Sequence, residues 1–127
     1  MQVIGVATKT AMMTAMRNTV ADGTIELLSG GGTVLAIIGL SASGGTIAGS
    51  SNVAWTPELD AGGVTTGLPT AGSATNAASA RIKTAGGTVE ETLTLTQTGG
   101  GGDVQVDNLS ISSGQVVKIT SAVINWP

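Results

Sequence analysis

The sequence predicts a mainly β protein: an antiparallel β-sandwich of the jelly-roll kind with one short N-terminal helix, built as a single domain over residues 1–127. Three observations predict this. The last third of the chain alternates apolar and polar residues at every second position, the pattern of a half-buried strand. Glycine-, serine- and aspartate-rich turn signals recur at intervals of roughly 8–12 residues, as in small all-β domains. Only one stretch carries helical spacing, and it lies near the N-terminus. Within this layout residues 1–7 are a candidate arm, 10–22 the helix and 24–127 the β-rich body.

The helix is predicted from Met12, Met16 and Val20, with Met13 beside them, which form an apolar stripe on a period of roughly 3.6 residues. Thr8 or Thr10 can cap its start, and Asp22-Gly23 ends it, with Gly23 free to turn left-handed. Methionine is a flexible gap-filler, so the stripe suits either the protein's own sheet or a neighbouring subunit. Residues 24–28 then read as a strand with Ile25 and Leu27 inward. A glycine turn over 29–32 leads into 33–40, a strand apolar on both faces and therefore central or covered. Together they make a hairpin.

The middle of the chain is less regular. Residues 46–55 read as a short, irregular strand that Thr56-Pro57 breaks. Residues 60–63 turn, 64–68 form a brief strand before Pro69, and 71–79 are too small and polar to assign. Residues 78–84 form a strand with Ala80 and Ile82 inward. A hairpin turn at 85–87 joins it to 88–96, where Val89, Glu91, Leu93 and Leu95 share a face. An acid on that face places Glu91 at a sheet edge. The glycines 99–102 read as a flexible hairpin loop, 103–106 as a short strand, and 115–125 as one long final strand. In that strand Val117, Ile119, Ser121 and Val123 share one face.

Composition narrows the function. Hydrophobic residues make up 41%, yet aromatics only 2%, with no Phe or Tyr and two Trp. Large aromatics supply much of the buried area of small domains, so this core is thin and leans on neighbouring subunits. Charged residues make up 10%, against roughly 25% in typical proteins, which leaves a surface of hydroxyls and glycine. The net charge of −3 and the scattered Lys9, Arg17, Arg81, Lys83 and Lys118 argue against nucleic acid, whose phosphates need clustered cations. The longest apolar run, residues 34–40, is far short of the roughly 18 residues of a membrane helix. The N-terminus lacks the pattern of a signal peptide.

The inventory also argues against an enzyme. Without His, Cys or Tyr the usual base near neutral pH is missing, and Ser-His-Asp or Cys-His systems cannot be assembled. Glu58 and Asp60 fall in a turn, and the adjacent Glu90 and Glu91 point to opposite faces of a strand, so neither pair spans a groove as a glycosidase requires. Asp103, Asp107 and Asn108 have oxygens suited to calcium but lack the spacing of an EF-hand; a turn held by side-chain bonds to its own backbone explains Asp107-Asn108 as well. The glycines 99–102 lack the Lys-Ser/Thr and the helix of a phosphate loop. No cofactor or catalytic residue is therefore expected. The candidate contact residues are Met12, Met16, Trp55 and Trp126. Each tryptophan either anchors its own core or packs into a partner.

Residues 102–115 read Gly-Asp-Val-Gln-Val-Asp-Asn-Leu-Ser-Ile-Ser-Ser-Gly-Gln, followed by a Val/Ile/Thr/Ser strand that closes at Pro127. Near the front, Ala-Met-x-x-Ala-Met over Ala11 to Met16 leads into Gly-Thr-Ile-Glu-Leu over Gly23 to Leu27. This arrangement, over about two-thirds of the chain, resembles a family of small virion proteins of tailed bacteriophages. The loop at residues 40–45 departs from the family's Asp-Pro-Ala-like pattern. The resemblance implies a structural role in the virion, with assembly in the host bacterial cytoplasm and capsid or tail proteins as partners. It makes a decoration (cement) or minor capsid protein on the head exterior the leading expectation, acting as a homo-oligomer and preferably a trimer. A tail, baseplate or fibre-attachment accessory is the second reading. A carbohydrate-binding host-attachment module, for which only Trp55 could serve as a sugar platform, is the third.

Overall fold

Glycine and β-branched residues punctuate the chain into short elements, and the computed structural model describes residues 5–49 and 53–126 of it. In order these are helix α1 (Val6–Val20), β1 (Thr24–Ser29), β2 (Val34–Gly39), β3 (Thr46–Ala48), β4 (Val53–Thr56), β5 (Val64–Thr66), β6 (Thr75–Lys83), β7 (Val89–Gln97), β8 (Val104–Val106), β9 (Ser110–Ile111), β10 (Val116–Ala122) and β11 (Ile124–Trp126). Short 3-10 turns at Asp60–Gly63 and Pro69–Ala71 flank β5. Residues 1–4 of the expected arm lie outside the described residues, and Val6 and Ala7 belong to the helix.

The aliphatic alternation sets the centre. Ile25 on β1 stands opposite Ile38 on β2 and Ile82 on β6, and Leu27 opposite Ala36 and Ala80; all six are buried. From this centre the main sheet runs β2-β1-β6-β7-β8-β10-β5, with β9 on a further stretch of β6. The mainly β class with one N-terminal helix holds. The main sheet, however, curls until its ends meet in a nearly closed, barrel-like form. The Leu68 N–H donates to Leu35 O at 2.8 Å and the Thr65 hydroxyl to Ile37 O at 2.8 Å, tying the β5 segment to β2. Register shifts at Leu27/Leu28, Leu28/Ser29, Ile82/Lys83 and Ile119/Ser121 supply bulges of the kind that bend strands toward closure.

A second, three-stranded antiparallel sheet, β11-β4-β3, lies beneath α1. Here Trp55 is fully buried between Ile47 and Ile124 in register, and its indole N–H donates to Gly44 O at 2.7 Å. A buried tryptophan needs such an acceptor, and the loop after β2 provides it.

Several expectations require correction. The helix starts at Val6, not residue 10, and Gly5 precedes it without a side-chain cap, so Thr8 and Thr10 lie inside the helix. Its buried face is Lys9, Met13 and Val20, with Met16 packed against the core, while Met12 is 39% exposed. One residue advances a helix by about 100°, so once Met13 faces inward Met12 is carried to the flank. At the end of the helix the left-handed residue is Asp22, with φ of 62°. Gly23 is there for clearance: a Cβ on it would stand 1.9 Å from Lys83 O.

The glycine loop is not a hairpin. β8 runs parallel to β7, Leu95 to Val104 and Gln97 to Val106, so the sheet is mixed. The predicted long final strand is two. A bulge between Ile119 and Ser121 shifts the alternation, so Val117 and Ile119 are buried but then Ala122 and Ile124; beyond Val123 the chain passes into the small sheet.

Candidate functional site

Among the described residues, two surface concavities bear on function. The larger, about 380 Å³, lies between Thr56-Pro57, Leu59 and Gly62 on one side and residues 119–123 on the other. It is the gap left where β5 stops pairing with β10 at Lys118. No titratable side chain lines it; it offers shape and backbone without acid–base chemistry.

The smaller groove, about 150 Å³, is lined by Met12, Met13, Met16, Glu91, Ile124 and Asn125. Each element has a local reason to be there. α1 brings three methionines to one place because positions 12, 13 and 16 fall on one side of a helix. β11 adds Ile124 and Asn125 as the chain leaves β10. β7 adds Glu91, opposite the buried Ile82 of β6. Within β7, β8 pairs with Leu95, Thr96 and Gln97 alone, so Glu91 lies on the stretch of β7 upstream of that pairing, the edge position its place in an apolar row predicts.

The groove's electrostatics rest on Glu91. It is half-buried and, among the described residues, its carboxyl group has neither an ion pair nor a hydrogen bond. Burial, and then the negative charge of Asp103, push its carboxyl above the ordinary glutamate value. Glu26 is the contrast. It is 6% exposed but receives Arg81 Nε at 2.6 Å and Lys83 Nζ at 3.2 Å. Burial raises its pKa, but the hydrogen bonds and charges of Arg81 and Lys83 together outweigh this and hold it below the ordinary value.

The other singled-out residues are placed as follows. Met12 and Met16 come together in the groove. Trp55 does not join them; its complete burial gives it the core role and removes the one platform a sugar-binding reading relied on. The backbone of Trp126 pairs with Val53, and its side chain lies outside the described residues. Asp103 Oδ2 accepts the Thr94 N–H at 3.2 Å, Asp107 Oδ1 the Lys118 N–H at 3.2 Å and Asn108 Oδ1 the Ser110 N–H at 3.0 Å. These oxygens serve their own backbone, and Asn108 forms the expected turn. Among the described residues no three His, Cys, Asp or Glu side chains converge as a metal site would need, and no helix is long and apolar enough to cross a membrane. In the sequence, the signal for the groove is Glu91 as an acid in the otherwise apolar row Val89, Glu91, Leu93, Leu95. No protein-family model, curated protein or solved structure matches this chain.

Proposed function

We propose that this chain is a non-enzymatic structural protein of a tailed-bacteriophage virion, a decoration or minor capsid protein that binds the head exterior and stabilises it by covering joints between capsid subunits. One observation carries the adhesive part of the reading: the two concavities described above are lined by aliphatic, methionine, hydroxyl, carboxamide and backbone groups, with Glu91 as their single titratable side chain. Such linings bury area against a partner and supply no acid–base pair. The low charge density and the core without Phe or Tyr support the same reading, since both suit a protein that gains burial from its neighbours. The assignment to a virion rests on the resemblance of residues 11–27 and 102–127, and the trimer on the head-exterior role.

Electron microscopy of the particle encoded alongside this chain tests the proposal. Density for the barrel at symmetry positions on the capsid shell is the expected result. A shell without it overturns the head assignment, and density on the tail instead selects the accessory reading.

A further inference from the structure

We propose that the methionine groove at Met12, Met16 and Glu91 is a socket for a single cationic side chain, a lysine or arginine presented by the protein to which this chain docks. The inference gives the adhesive role proposed above a specific contact, and rests on it.

Charge and shape both select this occupant. Glu91 is an acid held half out of water with no ion-pair partner among the described residues, whereas the more deeply buried Glu26 has two. A desolvated, unpaired carboxylate is costly, and the cost is recovered when a partner supplies the missing charge. Asp103 adds further negative potential at Glu91 rather than relieving it. The helix's two basic residues, Lys9 one turn before Met13 and Arg17 one turn after it, are not among the groove's walls. Apart from Asn125, the rest of the lining, three methionines and Ile124, is apolar and adaptable. Lysine and arginine have this dual character, an aliphatic stem that packs on apolar surface and a charged head that seeks an acid. Size sets the limit: about 150 Å³ is well below the roughly 300–1,000 Å³ of pockets for drug-sized ligands, so the groove takes the end of one side chain and not a folded peptide. Met12, 39% exposed on the rim, leaves the entrance open.

The test uses the full chain with 13C-labelled methionine methyl groups, read by NMR during titration with n-butylguanidinium and n-butylammonium as side-chain mimics and n-butanol as the uncharged control. Expected are saturable shifts of the Met12 and Met16 methyls in the roughly 1–10 mM range suited to so small a ligand. Glu91→Gln should weaken the cations about tenfold while leaving n-butanol unchanged. Glu91→Gln removes an unpaired charge from a half-buried position and is expected to fold, and the exposed Met12→Ala provides a second variant that should weaken both cations. Absence of any methyl shift, or an equal response to n-butanol and to Glu91→Gln, overturns the socket. Because no particle is involved, failure here leaves the virion proposal standing, and failure of the virion proposal leaves the socket measurable.

Discussion

At the scale of single residues, two glutamates of the same sheet show that burial alone does not decide what a charge does. Glu26 and Glu91 both sit among apolar neighbours, but Glu26 lies across from Arg81, with Lys83 two residues further along β6, and Glu91 lies across from Ile82. The consequence is opposite pH behaviour. Glu26 has a lowered folded-state pKa, so its stabilisation is present above the unfolded value and is lost as pH falls through the folded one. Glu91 has a raised pKa, so its ionised form weakens the fold near neutrality, and protonation relieves it as pH falls through the folded value. Glu26→Gln is therefore expected to destabilise at pH 7 by about 1–3 kcal/mol, because Arg81 and Lys83 lose their acceptor, with the deficit shrinking in acid. Glu91→Gln is expected to raise the melting temperature at pH 7, with the gain shrinking in acid. Thermal unfolding of both variants and the parent between pH 3 and pH 7 checks the two signs. Deficits of the same sign at pH 7 would show that Glu91 has a stabilising partner after all.

At the scale of elements, the least expected feature is the parallel pairing of β7 and β8 through residues 98–103. Parallel neighbours ordinarily need a crossover of about a dozen residues. Here threonines on β7 and glycines in the loop make the short return feasible. Gly102 N–H donates to Thr96 Oγ1 at 3.0 Å, Asp103 N–H donates to Thr94 Oγ1 at 2.9 Å, and Asp103 Oδ2 accepts from Thr94 N at 3.2 Å. The loop lies so close to β7 that a Cβ on Gly100 would stand 2.7 Å from Thr96 Cβ. Gly100→Ala should therefore cost about 1–3 kcal/mol as overpacking. Gly30→Ala, where no atom lies within 4 Å, should stay within about 0.5 kcal/mol of the parent. Urea denaturation of the two variants makes the comparison, and equal losses would mean that the loop does not need its glycines for clearance. This separates what the sequence could reveal from what it could not. Hairpins such as β1–β2 and β6–β7 were legible because alternation and a local turn specify them together. The parallel return was not, because a run of glycine reads as freedom rather than close approach. The bulge after Ile119 was not, because a one-residue slip leaves local composition unchanged. The groove was half legible: the methionine spacing marked Met12 and Met16, but Ile124 and Asn125 arrive only through the tertiary path of the last strand.

At the scale of the whole molecule, the question is what keeps a strongly bent sheet closed when its core has aliphatic side chains and one described buried aromatic, Trp55. Aliphatic packing is weakly directional, so it can curl the sheet without fixing where the edges meet. The meeting point is set by polar contacts. Besides the Leu68 to Leu35 backbone bond, the hydroxyls of Thr65 and Thr70 reach back to Ile37 O and Val34 O on β2. Both edge strands end at or close to glycine or proline, β2 at Gly39 and β5 three residues before Pro69, so neither can extend its own ladder far. Closure therefore depends on a few bonds between short strands, and the seam should open before the centre does. Thr65→Val keeps the side chain's shape and removes the hydroxyl that donates to Ile37 O, for an expected global cost of about 1 kcal/mol. The more telling measurement is local. In hydrogen exchange, the Leu68 amide should lose protection in Thr65→Val by more than the amides of Leu27 and Ile82 at the centre, since seam opening is a sub-global event with its own free energy. Equal loss at all three positions would mean that the sheet opens only as one unit, and that the buried aliphatic layer, rather than the threonine contacts, holds the barrel shut.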